Sequence, residues 1–289
     1  MNPRHATPSP PIVLTFSASD PSGGAGMQAD LMTLSALGCH PLSVMTALTV
    51  QDTLGVSSVV AVDADCVEEQ ARTLLGDMPV AAFKIGLLGS IENIAVVAGI
   101  VADHPALPLV VDPVLASGRG DELADDEMIG GLCKLLLPVT TILTPNSLEA
   151  HRLVHGTGGF DEAGEGDDRL QPTLADCAQQ LLDLGCLHVL LTGTHANTER
   201  VINTLYRRGV GLVRSDAWDR LPGSYHGSGC TLASAIAAQL ACGLPVDDAV
   251  VAAQDYTWRA LAAGFRPGMG QFIPDRFFAS RPRRALLDD

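Results

Sequence analysis

The chain has 289 residues, 47% of them hydrophobic but only 4% aromatic, and carries a formal net charge of −15. That length gives one large α/β domain or two small ones, with an aliphatic, alanine-rich core. The negative charge argues against nucleic acid and against anionic membrane surfaces as partners, and no apolar run is long enough to span a bilayer.

The seven cysteines, Cys39, Cys66, Cys133, Cys177, Cys186, Cys230 and Cys242, are odd in number and form no C-x-x-C. Most lie in apolar segments, so they read as reduced, buried thiols of a cytoplasmic protein. Residues 1–11 lack the apolar stretch of a signal peptide and read as a disordered tail, which leaves 12–289 as a single domain. Lys84 and Lys134 are the only lysines. Phosphate chemistry here would therefore draw on backbone N–H groups, arginines and metal ions.

Ile12 to Phe16 is a short apolar, β-branched run and predicts a buried strand. A glycine-rich loop follows, and helical periodicity runs from Met27 to Leu37 with Gly38 as the stop. Leu42–Val50 predicts a strand, Asp65–Leu75 a helix, Val80–Ile85 a strand and Ile91–Ala102 a helix. Leu107–Val111 is a strand closing in Asp112-Pro113, Asp125–Leu136 a helix, and Thr140–Leu143 a strand closing in Thr144-Pro145-Asn146. Helices follow at Ser147–Val154 and Leu174–Leu184, on either side of a glycine-rich acidic stretch from Gly156 to Pro172 that reads as an exposed loop. His188–Leu191 is a strand ending at Thr192-Gly193. Arg200–Tyr206 and Gly209–Arg214 form an antiparallel pair. Leu232–Cys242 and Val246–Ala263 are helices, and a Gly/Pro-rich tail ends the chain.

Strands alternating with helices predict an α/β fold with a central, mostly parallel sheet covered on both faces, plus the small antiparallel pair. Ligands of such sheets bind beyond the carboxyl ends of the strands. Asp20, Gln51, Asp112, Asn146, Thr192 and the loop Gly227-Ser228-Gly229-Cys230 all fall there.

Gly227 and Gly229 let that loop turn tightly into the helix behind it. The unpaired N–H groups and positive dipole at such a helix start suit a phosphate. They would also lower the thiol pKa of Cys230. Taken alone, the same residues fit a tight turn before a buried helix. A Cys230–His226 nucleophile pair is disfavoured by the glycines between them. Asp112 fits either an ordinary Asp-Pro turn or a Mg²⁺ ligand. Asn146 and Glu149 have the spacing of a capping box, and Glu149 equally suits a hard cation. Gly23-Gly24-Ala25-Gly26 matches neither G-x-G-x-x-G nor a Walker loop. Gln51 is an amide suited to a heterocycle's donor–acceptor edge, or a surface glutamine.

Six segments in order resemble the hydroxymethylpyrimidine/phosphomethylpyrimidine kinases of thiamine biosynthesis. They are Ser19-Asp20-Pro21-Ser22-Gly23-Gly24-Ala25-Gly26-Met27-Gln28-Ala29-Asp30-Leu31, Thr46–Thr53, Lys84–Leu88, Val111–Val114, Thr144–Ala150 and His226–Leu232. The resemblance implies the ribokinase-like fold and a homodimer. It implies ATP- and Mg²⁺-dependent phosphorylation of 4-amino-5-hydroxymethyl-2-methylpyrimidine to the monophosphate and then the diphosphate. It places Gln51 on the aminopyrimidine, with Ala18, Asp20, Gly24 and Leu87 around the substrate. Asp112 and Glu149 serve Mg²⁺. Asn146, Thr192 and Gly193 lie along the ATP phosphates, and Gly227, Ser228, Gly229 and Cys230 form the anion hole. Cys230 stands where sugar kinases of this fold have an Asp base. Family members often carry Lys where Thr192 stands, and Arg119 is the substitute cation expected here. Pyridoxal kinase is the rival within the fold. A non-catalytic pyrimidine-binding protein and a Cys-dependent hydrolase are the readings from other classes.

Overall fold

The computed structural model describes residues 9–117, 120–155, 172–194 and 198–280. Arg119 and most of the acidic stretch from Gly156 to Pro172 therefore lie outside the described residues, as do residues 1–8 of the predicted tail.

Among the described residues, nine strands form one sheet in the order β3-β2-β1-β4-β5-β6-β7-β8-β9. The strands are β1 (Ile12–Ser19), β2 (His40–Gln51), β3 (Val56–Ala61), β4 (Val80–Ile85), β5 (Leu109–Val111), β6 (Ile142–Leu143), β7 (His188–Leu191), β8 (Arg200–Arg207) and β9 (Gly211–Asp219). The six strands from β2 to β7 pair in parallel. β3 at one edge and β8–β9 at the other are antiparallel.

The side-chain period of two splits each central strand between two cores. Leu14, Phe16, Phe83, Ile85, Leu109, Val111 and Leu143 point into one. That core is closed by α2 (Ala64–Asp77), α3 (Ile91–Ala102), α4 (Asp126–Gly131), α5 (Ser147–His155) and α6 (Leu174–Asp183). Val13, Ala82, Val110, Ile142 and Leu190 point into the other, against α1 (Gly26–Ala36), α7 (Ser228–Ala241) and α8 (Val246–Ala262). Alanines dominate the buried face of α7, which lets it lie close to the sheet and to α1.

Three expectations change. The antiparallel pair is not separate: it continues the main sheet, and its second strand runs on to Asp219. β3 was not expected at all. The predicted helix Asp125–Leu136 is broken into α4 and a π-helical turn at Leu132–Leu136, followed by a 3₁₀ turn at Leu137–Val139.

Candidate active site

The chain departs from β1 in opposite directions, to β2 on one side and β4 on the other. Such a switch point leaves a crevice at the strand ends. A cavity of about 430 Å³ opens there, reaching from Gln51 at the β2 end to Trp218 near the end of β9 and to Trp258 in the last helix.

α7 starts at Ser228, earlier than the sequence suggested, so Ser228, Gly229 and Cys230 form its first turn and Gly227 caps it. Gly227 has φ +80°, and a Cβ there would overlap the carbonyl oxygen of Gly24. The two glycine loops are thus pressed together, and only glycine fits both the dihedral and the gap. Arg276 clamps them. Its Nη2 donates to the Gly24 carbonyl at 2.6 Å and its Nε to Thr231 Oγ1 at 3.1 Å, and the residue is only 2% exposed. Nothing in the Gly/Pro-rich tail pointed to it.

Asp112 faces the start of α7: a Cβ on Gly229 would lie 3.5 Å from its Oδ1. Its Oδ2 is buried without a hydrogen-bond partner. Burial raises its pKa, Lys84 pulls the other way, and Asp30 raises it further. Glu149 caps α5 reciprocally with Asn146, as the spacing predicted. Its Oε2 accepts the Asn146 N–H and Asn146 Oδ1 accepts the Glu149 N–H, both at 2.9 Å. Burial and the nearby Asp112 charge push its carboxyl up to about 8. Two carboxylates that resist ionising together suit a cation between them.

Cys230 departs from expectation. The residue is half-buried and lines the cavity, yet burial of the thiol and the Asp112 charge push its pKa up to about 12, against the opposing effect of Lys84. The helix-start effect is outweighed, and the resting group is a thiol rather than a thiolate.

Lys84 is a second buried cation of the site. It pairs with Asp30 at 2.9 Å, both fully buried. Thr15, Ser17 and Ser234 also donate to that carboxylate. Burial would lower the Lys84 pKa, but Asp30, Cys230 and Asp112 more than offset it. The pair is completely hydrogen-bonded, as a buried pair must be.

At the β2 end, His226 Nε2 lies 2.8 Å from Asp20 Oδ2 and 3.0 Å from Gln51 Nε2. Gly24 sits against the His226 ring so closely that a Cβ would overlap it. Ala18 and Leu87 form a small buried apolar cluster beside this corner with Ala47. At the opposite end, Asn146 and Thr192 bridge the tips of β6 and β7. Gly193 N–H donates to Asn203 Oδ1, and a side chain at 193 would overlap the Ile202 carbonyl. Asn203 and Trp218 both donate to Gln254 Oε1, a polar network that the sequence reading missed.

The sequence-predicted residues other than Arg119 therefore line or border one cavity. The fold and this arrangement define a ribokinase-like small-molecule kinase. The family model for phosphomethylpyrimidine kinase matches residues 20–275, and the chain belongs to that family. It is 38% identical over 260 residues to the hydroxymethylpyrimidine/phosphomethylpyrimidine kinase of Rhizobium meliloti, covering 90% of this chain and 94% of that one. With the corresponding protein of Streptomyces coelicolor the identity is 39% over 265 residues, covering 90% and 92%. Among solved structures, the pyridoxal kinase of Staphylococcus aureus in complex with AMP-PCP and pyridoxal matches with a TM-score of 0.79 and 30% identity, over 94% of this chain and 96% of that one. The phosphomethylpyrimidine kinase of Clostridium difficile 630 matches with a TM-score of 0.71 and 33% identity, over 87% and 99%.

Proposed function

We propose that the protein transfers the γ-phosphoryl group of ATP to the hydroxymethyl oxygen of 4-amino-5-hydroxymethyl-2-methylpyrimidine, and then a second one to the monophosphate, in thiamine diphosphate biosynthesis. The observation that carries this is one cavity joining two ends. Gln51 offers a heterocycle-pairing amide at one, and the first turn of α7, whose N–H groups have no partner within the helix and no side-chain cap, faces an anion site beside two carboxylates.

Gln51 pairs with the aminopyrimidine, and Ala18, Gly24 and Leu87 shape its surroundings. Asp20 acts through His226. Asn146, Thr192 and Gly193 lie along the ATP phosphates, and Arg119 supplies a cation from the loop after Asp112. The N–H groups of Ser228, Gly229 and Cys230 stabilise the equatorial oxygens of the transferring group. Lys84 is fully buried and paired with Asp30, and its charge acts on Asp112 and the Cys230 thiol.

Asp112 and Glu149 fit a Mg²⁺ ion, the unpartnered Asp112 Oδ2 being a ligand atom in waiting. Among the described residues no cluster of three or more His, Cys, Asp or Glu side chains is arranged for a metal. The ion would draw its other ligands from phosphate oxygens and water, as Mg²⁺ does at phosphoryl-transfer sites. When bound, it neutralises charge on the transferring group. Cys230, protonated at rest, positions the acceptor hydroxyl. A loose transition state releases the alcohol proton late, so a strong resting base is not required.

The protein works in the cytoplasm as a homodimer. Leu48 and Val60, opposed across β2 and β3 and both about half exposed, give a dimer face apolar material. Among the described residues no helix is long and apolar enough to cross a membrane. The solved pyridoxal complex of a structural neighbour favours pyridoxal kinase as the second reading. A coupled assay of ADP release with each substrate in turn separates the two.

A further inference from the structure

We infer that His226 fixes the direction of the Gln51 side-chain amide and so sets which order of donor and acceptor a substrate edge must present. This rests on the proposal that Gln51 reads the pyrimidine.

The inference follows from counting hydrogens at one nitrogen. Asp20 accepts from Ser22 N–H through Oδ1 and from Ala25 N–H through Oδ2. Burial opposes its ionisation, but His226 and these donors hold its carboxyl below the usual range. It is therefore a carboxylate and can only accept. His226 Nε2, 2.8 Å from Oδ2, must then carry the proton and donate it. A nitrogen that donates in the ring plane has no lone pair left there. Gln51 Nε2 stands 3.0 Å away in the structure, and an N–H donor cannot be aimed at a nitrogen that itself donates. The oxygen and nitrogen of an amide exchange places by a half-turn and are assigned from their partners. The atom beside His226 is therefore Oε1, sharing the same N–H, and the two N–H donors of Nε2 turn away toward the cavity.

The His226 ring has no room to yield, because Gly24 lies directly against it. Gln51 Oε1 keeps a second lone pair. Gln51 thus presents an acceptor and a donor in one fixed order, matching an amino group next to an unprotonated ring nitrogen. A 4-oxo analogue carries the reverse edge, with a carbonyl acceptor beside a ring N–H, and meets like against like.

The test compares kcat/KM for the 4-amino substrate and its 4-oxo analogue in wild type and in His226→Phe, which keeps a ring against Gly24 but removes the N–H. The wild type should prefer the amino substrate by roughly a hundredfold or more, since a mispaired buried edge is costly. In His226→Phe the amide is free to turn, and the preference should fall to about tenfold or less with the ATP KM unchanged. A preference that stays the same while overall activity drops would show a merely structural role and overturn the inference. Nitrogen-15 NMR of His226 in the wild type provides a readout independent of turnover. A protonated Nε2 is expected, and a bare Nε2 refutes the fixed orientation. Failure of the wild type to phosphorylate the pyrimidine would instead sink the proposed function, while the NMR result would still decide the amide.

Discussion

Gly227 rests on Gly24: the backbone of the α7 loop and that of the loop after β1 are in direct contact, with no space for a Cβ between them. The anion-binding turn is therefore held by the substrate-side loop, and Arg276 bonds to both. Gly227→Ala must relieve a positive φ and an overlap together. The dihedral alone costs about 1–2 kcal/mol, and the overlap displaces the first turn of α7. Loss of most activity with a clear fall in Tm is expected. Gly209→Ala, also at positive φ but with open space around it, should show the smaller stability loss and normal kinetics.

Arg276→Ala leaves the Gly24 carbonyl and Thr231 without their donor inside the protein. Charge-assisted hydrogen bonds of this kind contribute about 1.5–3 kcal/mol each, so a destabilisation of roughly 3 kcal/mol by urea unfolding is the expected result. Arg276→Lys should recover only part of it, since one ammonium cannot reproduce the planar fork. Equal stability of Arg276→Ala and wild type would contradict the clamp.

Glu149 gives Mg²⁺ binding a pH dependence. With its carboxyl at about 8, the metal must displace a proton below that value. Affinity should rise about tenfold per pH unit between 6 and 7 and level off above 8. Calorimetry in buffers of different ionisation enthalpy would detect the released proton. Glu149→Gln should flatten the slope. The raised pKa also affects the free protein. Its stabilising contribution is complete below the unfolded carboxyl value of about 4.3 and is lost as pH rises through 8. A Mg²⁺ affinity that does not change from pH 6 to 8 would contradict the assignment.

Cys230, with its thiol near 12, should be slow to alkylate. In the free protein at pH 8, iodoacetamide should label the exposed Cys66 and Cys242 first, as peptide mass mapping would show. Cys230→Ala should lower the two phosphorylations by similar factors, within about tenfold. A hundredfold loss confined to the first step would restore the base role.

Much of the architecture was legible because buried parallel strands are short apolar runs: Val80–Ile85 and His188–Leu191 were read to the residue. β3 is not legible in the sequence because Val56–Ala61 contains two serines and is mostly exposed, so it has no burial pattern to show. The break after α4 has no local signal, since Leu132–Leu136 reads as continuous helix. The capping pair Asn146–Glu149 was legible from spacing alone. Arg276, the Asp30–Lys84 pair and the His226–Gln51 contact join positions 54 to 252 residues apart. Only the folded chain brings them together, and no local pattern encodes such contacts. The helix start visible in the sequence predicts a lowered Cys230 pKa, whereas burial beside Asp112, which only the fold creates, raises it.

The most direct test of the central claim is ATP turnover in the presence of Mg²⁺, measured with the hydroxymethylpyrimidine, its monophosphate and pyridoxal separately. ADP release with both pyrimidines, well above that with pyridoxal, is the predicted result. Turnover with pyridoxal alone, or with none of the three despite measurable pyrimidine binding, would contradict it.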